Sequence, residues 1–169
     1  MATNRGSQRG VTRRQFVQAA AFGAAPLLLT GCATTRNGIA PNEQIQVGLV
    51  GLGSRGFNLL ESFLIERDAR VVALCDVDAR HYRDKAWGEG TLYGREGARK
   101  RVEAFYAKHA KHGAYQGVSV YDDFRELCAH PGVDAVVVAT PDHWHARITL
   151  EALRQGKDVY CEKPVTRLF

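Results

Sequence analysis

A glycine-rich turn is the first stretch of this sequence whose residue types and spacing could do chemistry. The pattern G-x-G-x-x-G occupies positions 51–56, as Gly51, Leu52, Gly53, Ser54, Arg55 and Gly56. It follows an apolar run and opens a segment with helical periodicity, which is the context of a dinucleotide-binding loop. The first glycine allows a tight turn, the second lets a pyrophosphate approach the backbone, and the third lets helix and strand pack closely. The pyrophosphate would bind at the helix N-terminus, where Arg55 could add a charge contact.

An acidic residue, Asp76, is the second candidate. It ends the next apolar run, about 20 residues beyond Gly56, as the dinucleotide pattern requires. A carboxylate here accepts hydrogen bonds from the adenosine ribose hydroxyls and repels a 2′-phosphate. The sequence therefore predicts NAD as the cofactor in preference to NADP, although the nearby Arg80 could moderate that repulsion.

Two further polar stretches each follow an apolar run. The first is TPDHWH at 140–145, and the second is CEKP at 161–164. Open α/β sheets bind ligands at the carboxyl ends of their strands, so both stretches are expected at the cofactor cleft. His143 and His145 are two positions apart and do not share a helix face, so we predict no metal site.

The elements that must position these residues alternate between strand and helix. Apolar runs predict strands at 45–50, 70–75, 118–120, 133–139 and 158–161. Helical patterns cover 54–67, 97–112, 122–129 with Asp122 as N-cap, and 142–155. Such strands predict an α/β fold, a Rossmann-like doubly wound parallel sheet of order 3-2-1-4-5. The long connection 77–117 has no assigned role, and its residues 88–90 and 93–94 are expected to form loops.

The first 32 residues are typical of a bacterial export signal. Arg13 and Arg14 belong to a T-R-R-Q-F-V twin-arginine pattern, which precedes a short apolar stretch at 19–29. The sequence L-T-G-C then resembles a lipobox, which predicts lipidation of Cys32. We therefore expect recognition by the twin-arginine machinery and a lipid anchor on the periplasmic side of the envelope, with 33–44 as a linker. The alternative is an amphipathic N-terminal helix with chance arginines.

Charge distribution and cysteine positions argue against a nucleic-acid partner and against a disulfide between strands. The chain has 23 basic and 18 acidic residues, but residues 1–31 hold four arginines and no acid, which leaves the remainder close to neutral. The basic excess thus belongs to the leader, and no nucleic-acid partner is predicted. Cys75 and Cys161 are expected on strands about 14 Å apart, too far for a disulfide, so both should be thiols.

Taken in chain order, the motifs GLGSRG, the acid of CDVD, TPDHWH and EKP resemble those of the Gfo/Idh/MocA family, over residues 45–169. This family is named for glucose–fructose oxidoreductase and inositol dehydrogenase. The resemblance implies an NAD(P)-dependent oxidoreductase that acts on a sugar or polyol by hydride transfer.

The resemblance also implies roles for the TPDHWH residues. Thr140 and Pro141 resemble residues that line the nicotinamide end of the cleft. His145 is similar to the family histidine of the T-P-x-x-x-H pattern, close to the active site, and is taken as a catalytic candidate. Trp144 is expected to form part of the cleft wall rather than to take part in chemistry.

For the EKP residues, Lys163 resembles the family lysine that contacts nicotinamide and substrate and assists proton transfer. A lysine near a sugar hydroxyl can stabilise the alkoxide that develops as hydride leaves. Glu162 could orient that lysine, and Pro164 could fix the turn.

Family members continue beyond this motif into an α+β domain, so we expect the chain to be truncated and inactive by itself. A homo-oligomer is expected of the full-length form. Three functions stay open. The first is an exported NAD-dependent oxidoreductase, the second an NAD-dependent glycosidase resembling the alpha-N-acetylgalactosaminidases, and the third a non-catalytic, lipid-tethered NAD-binding module.

Overall fold

A computed structural model describes residues 44–82, 90–110, 115 and 117–166. The chain separates into two compact units, Met1–Thr34 and Thr35–Phe169, and the described residues all belong to the second. The predicted leader, the lipidation site Cys32 and nearly all of the linker lie outside the described residues. The last linker position, Gln44, is buried and its side chain donates to Arg67 O at 2.7 Å, so it belongs to the folded domain.

Seven strands are present in the described part of the chain. In chain order they are β1 (Ile45–Val50), β2 (Ala69–Cys75), β3 (His81–Tyr82), β4 (Leu92–Tyr93), β5 (Ser119–Tyr121), β6 (Ala135–Val138) and β7 (Asp158–Cys161). Five of them form one parallel sheet of order β5-β2-β1-β6-β7, and β3 and β4 form a small antiparallel pair. The predicted 3-2-1-4-5 order is confirmed, as right-handed crossovers require.

Helices cover both faces of the sheet, which explains the continuous apolar strands. They are α1 (Ser54–Ile65), α2 (Gly94–Ala107), α3 (Phe124–Cys128) and α4 (Asp142–Arg154). One core cluster lies under α1 and α2 and includes Leu49, Leu60, Val71, Leu74 and Val102. The other lies under α3 and α4 and includes Val50, Leu127, Val136, Val138 and Ile148. The central strands β1 and β6 therefore contribute alternate side chains to opposite faces.

The segment that joins β2 to β5 differs from the prediction. Tyr93 and Gly94, expected in a loop, end β4 and begin α2, which starts three residues early and ends at Ala107. Residues 88 and 89 of the other predicted loop lie outside the described ranges. The helix packs on the sheet through Val102 and Tyr106, and Phe105 is only partly buried. The Tyr106 hydroxyl also accepts a hydrogen bond from Val71 N at 2.9 Å, at a position that β5 is too short to pair.

The cap of α3 also differs by one position. Asp123, not Asp122, is the N-cap, because its side chain accepts a hydrogen bond from Arg125 N at 2.8 Å. That contact, with the Arg125 guanidinium, lowers the pKa of the Asp123 carboxyl from its ordinary value. Adjacent aspartates are both good caps by type, so only the backbone conformation distinguishes them.

The three described cysteines, Cys75, Cys128 and Cys161, are free thiols, as predicted for Cys75 and Cys161. Strands β1 and β6 separate the two strands that carry Cys75 and Cys161. Burial, and next the Asp76 carboxylate, raise the pKa of Cys75 to about 12, so this thiol stays protonated at neutral pH. Within the described ranges, none of the helices has the length and apolar character needed to cross a membrane.

Candidate functional site

The carboxyl ends of the parallel strands lie along one edge of the sheet, and the predicted site residues follow them there. Two cavities occupy this edge. One, of about 350 Å³, lies against Gly51, Asp76, Phe124, Pro141 and Trp144. The other, of about 440 Å³, lies against Arg55, Thr140, His145, Glu162 and Lys163. Thr140 lines both cavities, so one elongated ligand could reach from the end of β2 to the end of β7.

The three glycines of the turn between β1 and α1 have different surroundings. Gly51 has a φ of +90°, and a Cβ there would lie 2.6 Å from Thr140 N. A Cβ at Gly56 would lie 1.9 Å from Gly51 O, so helix and strand contact each other directly. A Cβ at Gly53 would have nothing within 4 Å, because this residue faces open space at the start of α1. Gly53 is therefore the point where a ligand can approach the backbone.

Asp76 joins this turn to the end of β2. Its Oδ2 accepts a hydrogen bond from Leu52 N at 2.5 Å, and its Oδ1 accepts one from Asp78 N at 2.9 Å. Gly51 N also donates to Cys75 O at 2.9 Å. Leu52 has no exposed surface, so its N–H serves to fix the turn. A carboxylate has about four lone-pair sites, which leaves Asp76 with acceptor capacity for ribose hydroxyls.

Arg80, expected to moderate the charge of Asp76, forms an ion pair with Glu96 instead. The cation that contacts Asp76 is Arg95, whose Nη1 donates to Asp76 O at 2.6 Å and Val77 O at 2.8 Å. Sequence reasoning missed Arg95, because it follows the cofactor acid by 19 positions within a helix rich in basic residues.

The wall of the first cavity is apolar and aromatic. Trp144 is 39% exposed, and its ring lies 6.1 Å from that of Phe124 in an edge-on arrangement. Phe124 is the first residue of α3 and was not anticipated, since only its position shortly after the end of β5 could have indicated it. The hydroxyl Oγ1 of Thr140 is buried with no hydrogen-bond partner in the described structure. A buried donor without a partner is rare, so this hydroxyl is available to a ligand.

His145 connects the two loops that carry the TPDHWH and EKP residues. It is 2% exposed, and its ring nitrogens lie 2.7 Å from two carbonyl oxygens, Nδ1 from Pro164 O and Nε2 from Thr140 O. Both nitrogens are thus occupied by backbone. These contacts give His145 a positioning role for the Lys163–Pro164 segment, and its predicted part in catalysis stays a prediction.

Arg55 and Glu162 form an ion pair across the second cavity. Arg55 Nη2 and Nε lie 2.6 and 2.9 Å from Glu162 Oε1, and the Tyr160 hydroxyl donates to the same oxygen at 3.2 Å. The Arg55 guanidinium lowers the pKa of Glu162 from its ordinary value, which keeps the carboxylate charged at neutral pH. The Glu162 carboxylate, which was expected to orient Lys163, is thus paired with Arg55 instead. The Lys163 ammonium group, exposed at the cavity, has no described ion-pair or hydrogen-bond partner.

These features fit a dinucleotide. Asp76 after β2, with its spare acceptor capacity, the open approach at Gly53 after β1, and the partnerless Thr140 hydroxyl after β6 follow one another along the edge. This is the order of the adenosine ribose, the pyrophosphate and the nicotinamide in a dinucleotide. By contrast, no group of three or more His, Cys, Asp or Glu side chains in the described ranges could hold a metal ion.

A family model described as "Oxidoreductase family, NAD-binding Rossmann fold" (GFO_IDH_MocA) matches residues 45–168. The chain belongs to the Gfo/Idh/MocA family. The matched residues include the glycine turn, Asp76, Thr140 and Lys163, so the site described above lies within the family's NAD-binding domain.

Curated members of the family include glycosidases. A glycosyl hydrolase family 109 protein of Solibacter usitatus is 30% identical over 150 residues, which are 88% of this chain and 31% of that protein. An alpha-N-acetylgalactosaminidase of Shewanella oneidensis is 27% identical over 173 residues, covering 92% of this chain and 34% of that enzyme. The chain thus spans about a third of the length of these relatives.

Solved structures of the family include dehydrogenases. The myo-inositol dehydrogenase of Lactobacillus casei, in complex with NAD(H) and myo-inositol, has a TM-score of 0.53 and 26% identity over 73% of this chain and 29% of that one. A dehydrogenase of Chromobacterium violaceum has a TM-score of 0.54 and 32% identity with the same two coverages. The resemblance of sequence and the similarity of fold agree on an NAD-binding Rossmann domain.

The contacts of His145 generate a stability prediction. His145→Ala should lower the free energy of unfolding by about 1–3 kcal/mol, because it removes a buried ring that contacts two backbone carbonyl oxygens and donates a hydrogen bond to at least one of them. The matched control is His143→Ala on the same helix, where the side chain is 55% exposed and the expected change is under about 0.5 kcal/mol. Urea denaturation measures both values. Equal losses for the two variants would contradict the positioning role.

Proposed function

We propose that this chain is the cofactor-binding part of an exported, NAD-dependent oxidoreductase that removes hydride from a carbon of a sugar or polyol. The observation that carries the proposal is the second cavity, where an exposed lysine, Lys163, lies beside the partnerless hydroxyl of Thr140. This cavity adjoins the turn at Gly53, so a reacting hydroxyl and a bound dinucleotide would meet at the carboxyl ends of β6 and β7. The dehydrogenase from L. casei, solved with NAD(H) and myo-inositol, supports the substrate class.

NAD, when bound, supplies the hydride acceptor. Lys163 holds a positive charge beside the substrate oxygen, where a hydrogen bond from its ammonium group stabilises the alkoxide that forms as the hydroxyl proton passes to solvent. The alkoxide then becomes a carbonyl as hydride leaves the carbon for the cofactor. His145 keeps the Lys163–Pro164 segment against the Thr140 loop through its two carbonyl contacts. Phe124 and Trp144 form an aromatic wall on the adenosine side of the cleft.

A second function is favoured by the curated relatives. Several are named glycosyl hydrolase family 109 proteins, and another is an alpha-N-acetylgalactosaminidase. In this alternative the hydride returns to the same sugar, so a glycosidic bond is cleaved with no net oxidation. Lys163 and Thr140 would serve both reactions, because each begins with removal of hydride from a sugar carbon.

Export is proposed from the leader, whose paired Arg13 and Arg14 precede the apolar stretch and Cys32. An enzyme outside the cytoplasm has no pool of NAD with which to exchange. A cofactor that is loaded before export, and stays bound while hydride moves between two substrates or returns to one, removes this difficulty. The twin-arginine route suits this design because it carries folded proteins.

The first of three predictions from the proposed function concerns the cofactor. Gly53→Val should weaken NAD binding by about 100-fold or more, since a branched side chain would occupy the space that the pyrophosphate needs. The variant should still fold, because a Cβ at this position meets nothing within 4 Å. Calorimetric titration of this chain with NAD measures the effect. Ser62→Val, exposed on the same helix, is the control and should bind as the unsubstituted chain does.

The second prediction concerns the reaction. In the protein extended to the length of its relatives, Lys163→Ala should lower turnover by roughly 10²–10⁴-fold while NAD stays bound. Sugars deuterated at ring carbons, with mass analysis of the products, distinguish the two functions. Net oxidation with deuterium transferred supports the oxidoreductase, and a cleaved but unoxidised sugar supports the glycosidase. Turnover unchanged in the lysine variant would refute the role of Lys163.

The third prediction concerns export. A reporter fused after Cys32 should reach the cell envelope, and replacement of Arg13 and Arg14 by lysine should block its export. Cys32→Ala should release the reporter from membranes, because the lipid-bearing residue is gone. Cell fractionation and blotting give the result. Arg5→Lys, outside the pair, is the matched control, and normal export of the double variant would exclude the twin-arginine interpretation.

A further inference from the structure

The start of α2 contacts both loops that face the cofactor cleft. Gly94 N donates to Leu52 O, within the glycine turn, at 3.0 Å. The next two backbone N–H groups donate to the loop after β2, Arg95 N to Asp78 O and Glu96 N to Ala79 O, each at 3.0 Å. The first turn of this helix is therefore bonded to protein on both sides, and it offers these N–H groups to no ligand.

The approach between helix and loop is close. Gly94 has a φ of +84°, and a Cβ there would lie 2.7 Å from Asp78 O and 3.0 Å from Ala79 O. A Cβ at Gly97, one turn on, would lie 3.2 Å from the ring of Phe57 on α1. Only residues without a side chain allow this contact, so the helix start, the glycine turn and the loop after β2 form one packed unit.

The Arg95 side chain contacts the backbone of Asp76, the residue whose carboxylate is expected to bind the ribose. Its Nη1 donates to the main-chain carbonyls of Asp76 and Val77, at 2.6 and 2.8 Å. The carboxylate of Asp76 is held separately, by Leu52 N and Asp78 N. Asp76 is thus fixed at its backbone by Arg95 and at its side chain by two backbone N–H groups. Asp76 and Val77 line the first cavity, whereas Arg95 does not and contacts only their backbone carbonyls.

We propose that Arg95 is a positioning residue that sets the selectivity of the adenosine site for a free ribose 2′-hydroxyl. It acts by holding the Asp76–Val77 backbone, and hence the Asp76 carboxylate, where ribose hydroxyls are bound and a 2′-phosphate is repelled. The inference rests on the NAD-binding function proposed above and assigns a role to the long β2–β5 connection. Arg80, the nearer cation in the sequence, has no such role because it is paired with Glu96.

The experiment titrates this chain with NAD, NADP, AMP and nicotinamide mononucleotide, and measures thermal unfolding of each variant. Arg95→Ala should weaken NAD binding by about 10-fold and NADP binding by about 3-fold or less, because a loosened carboxylate loses its hydroxyl contacts but repels the 2′-phosphate less. AMP binding should fall with NAD binding, and nicotinamide mononucleotide binding should not change. Arg95→Met, which keeps the apolar stem and removes the donors, should give the same ratios.

Two control variants separate positioning from general loosening. Tyr106→Phe removes the bond between α2 and Val71 N, at the other end of the helix, and should lower the melting temperature with the NAD-to-NADP ratio unchanged. Arg80→Ala removes an exposed charge from the same loop and should change neither quantity appreciably.

Three outcomes would overturn the inference. They are unchanged binding of both cofactors in a folded Arg95→Met variant, an equal loss of both cofactors, and a larger loss of NADP, which would show that Arg95 attracts the phosphate directly. Failure of the unsubstituted chain to bind NAD or NADP would instead refute the proposed function itself. The two failures are therefore distinguishable in one set of titrations.

Discussion

The hydrogen bond from Leu52 N to Asp76 Oδ2 is the contact on which the cofactor side of this molecule depends. It joins the turn after β1 to the residue that ends β2, so two loops from adjacent parallel strands have one fixed geometry. A buried N–H must find an acceptor, and a carboxylate is a strong one. The same carboxylate is the group expected to recognise the ribose. One side chain thus fixes the loop geometry and is also the group expected to bind the cofactor. The start of α2 stabilises both loops through hydrogen bonds to Leu52 O and Asp78 O.

A second connection of the same kind operates at the other end of the cleft. His145 is bonded to carbonyl oxygens after β6 and β7, and Arg55, near the start of α1, is bonded to Glu162 after β7. Lys163 lies between these contacts with its charge exposed. A lysine is a flexible point charge, so its usefulness depends on a backbone that is held still. The polar residues around Lys163 hold its backbone in place, and none of their described contacts pairs with its ammonium group.

The family relation places the domain within a larger chemistry. The chain spans 31% of the S. usitatus glycosyl hydrolase family 109 protein and 29% of the L. casei myo-inositol dehydrogenase. One relative is named for cleavage of a glycoside and the other for oxidation of a polyol, and both match the domain that carries Asp76, Thr140 and Lys163. A shared nucleotide-binding domain is consistent with the proposal that either function of this chain would begin with removal of hydride from a sugar carbon. The difference between glycoside cleavage and polyol oxidation must then come from the residues that bind and orient the substrate.

The sequence by itself determined the architecture and the place of the site. Apolar runs specify buried strands, right-handed crossovers leave one order for them, and glycine spacing marks the phosphate turn, because all three depend on local chain properties. The tertiary structure decided what local properties do not encode, which is the partner of each polar side chain. Arg55 is bonded to Glu162, 107 positions away, and Arg95 rather than Arg80 reaches Asp76. His145 is buried between two carbonyls, and Asp123 rather than Asp122 caps α3. Such pairings depend on how loops pack at the edge of the sheet. The sequence offers several chemically equivalent partners for each polar side chain, and only the packed loops bring one of them within bonding distance.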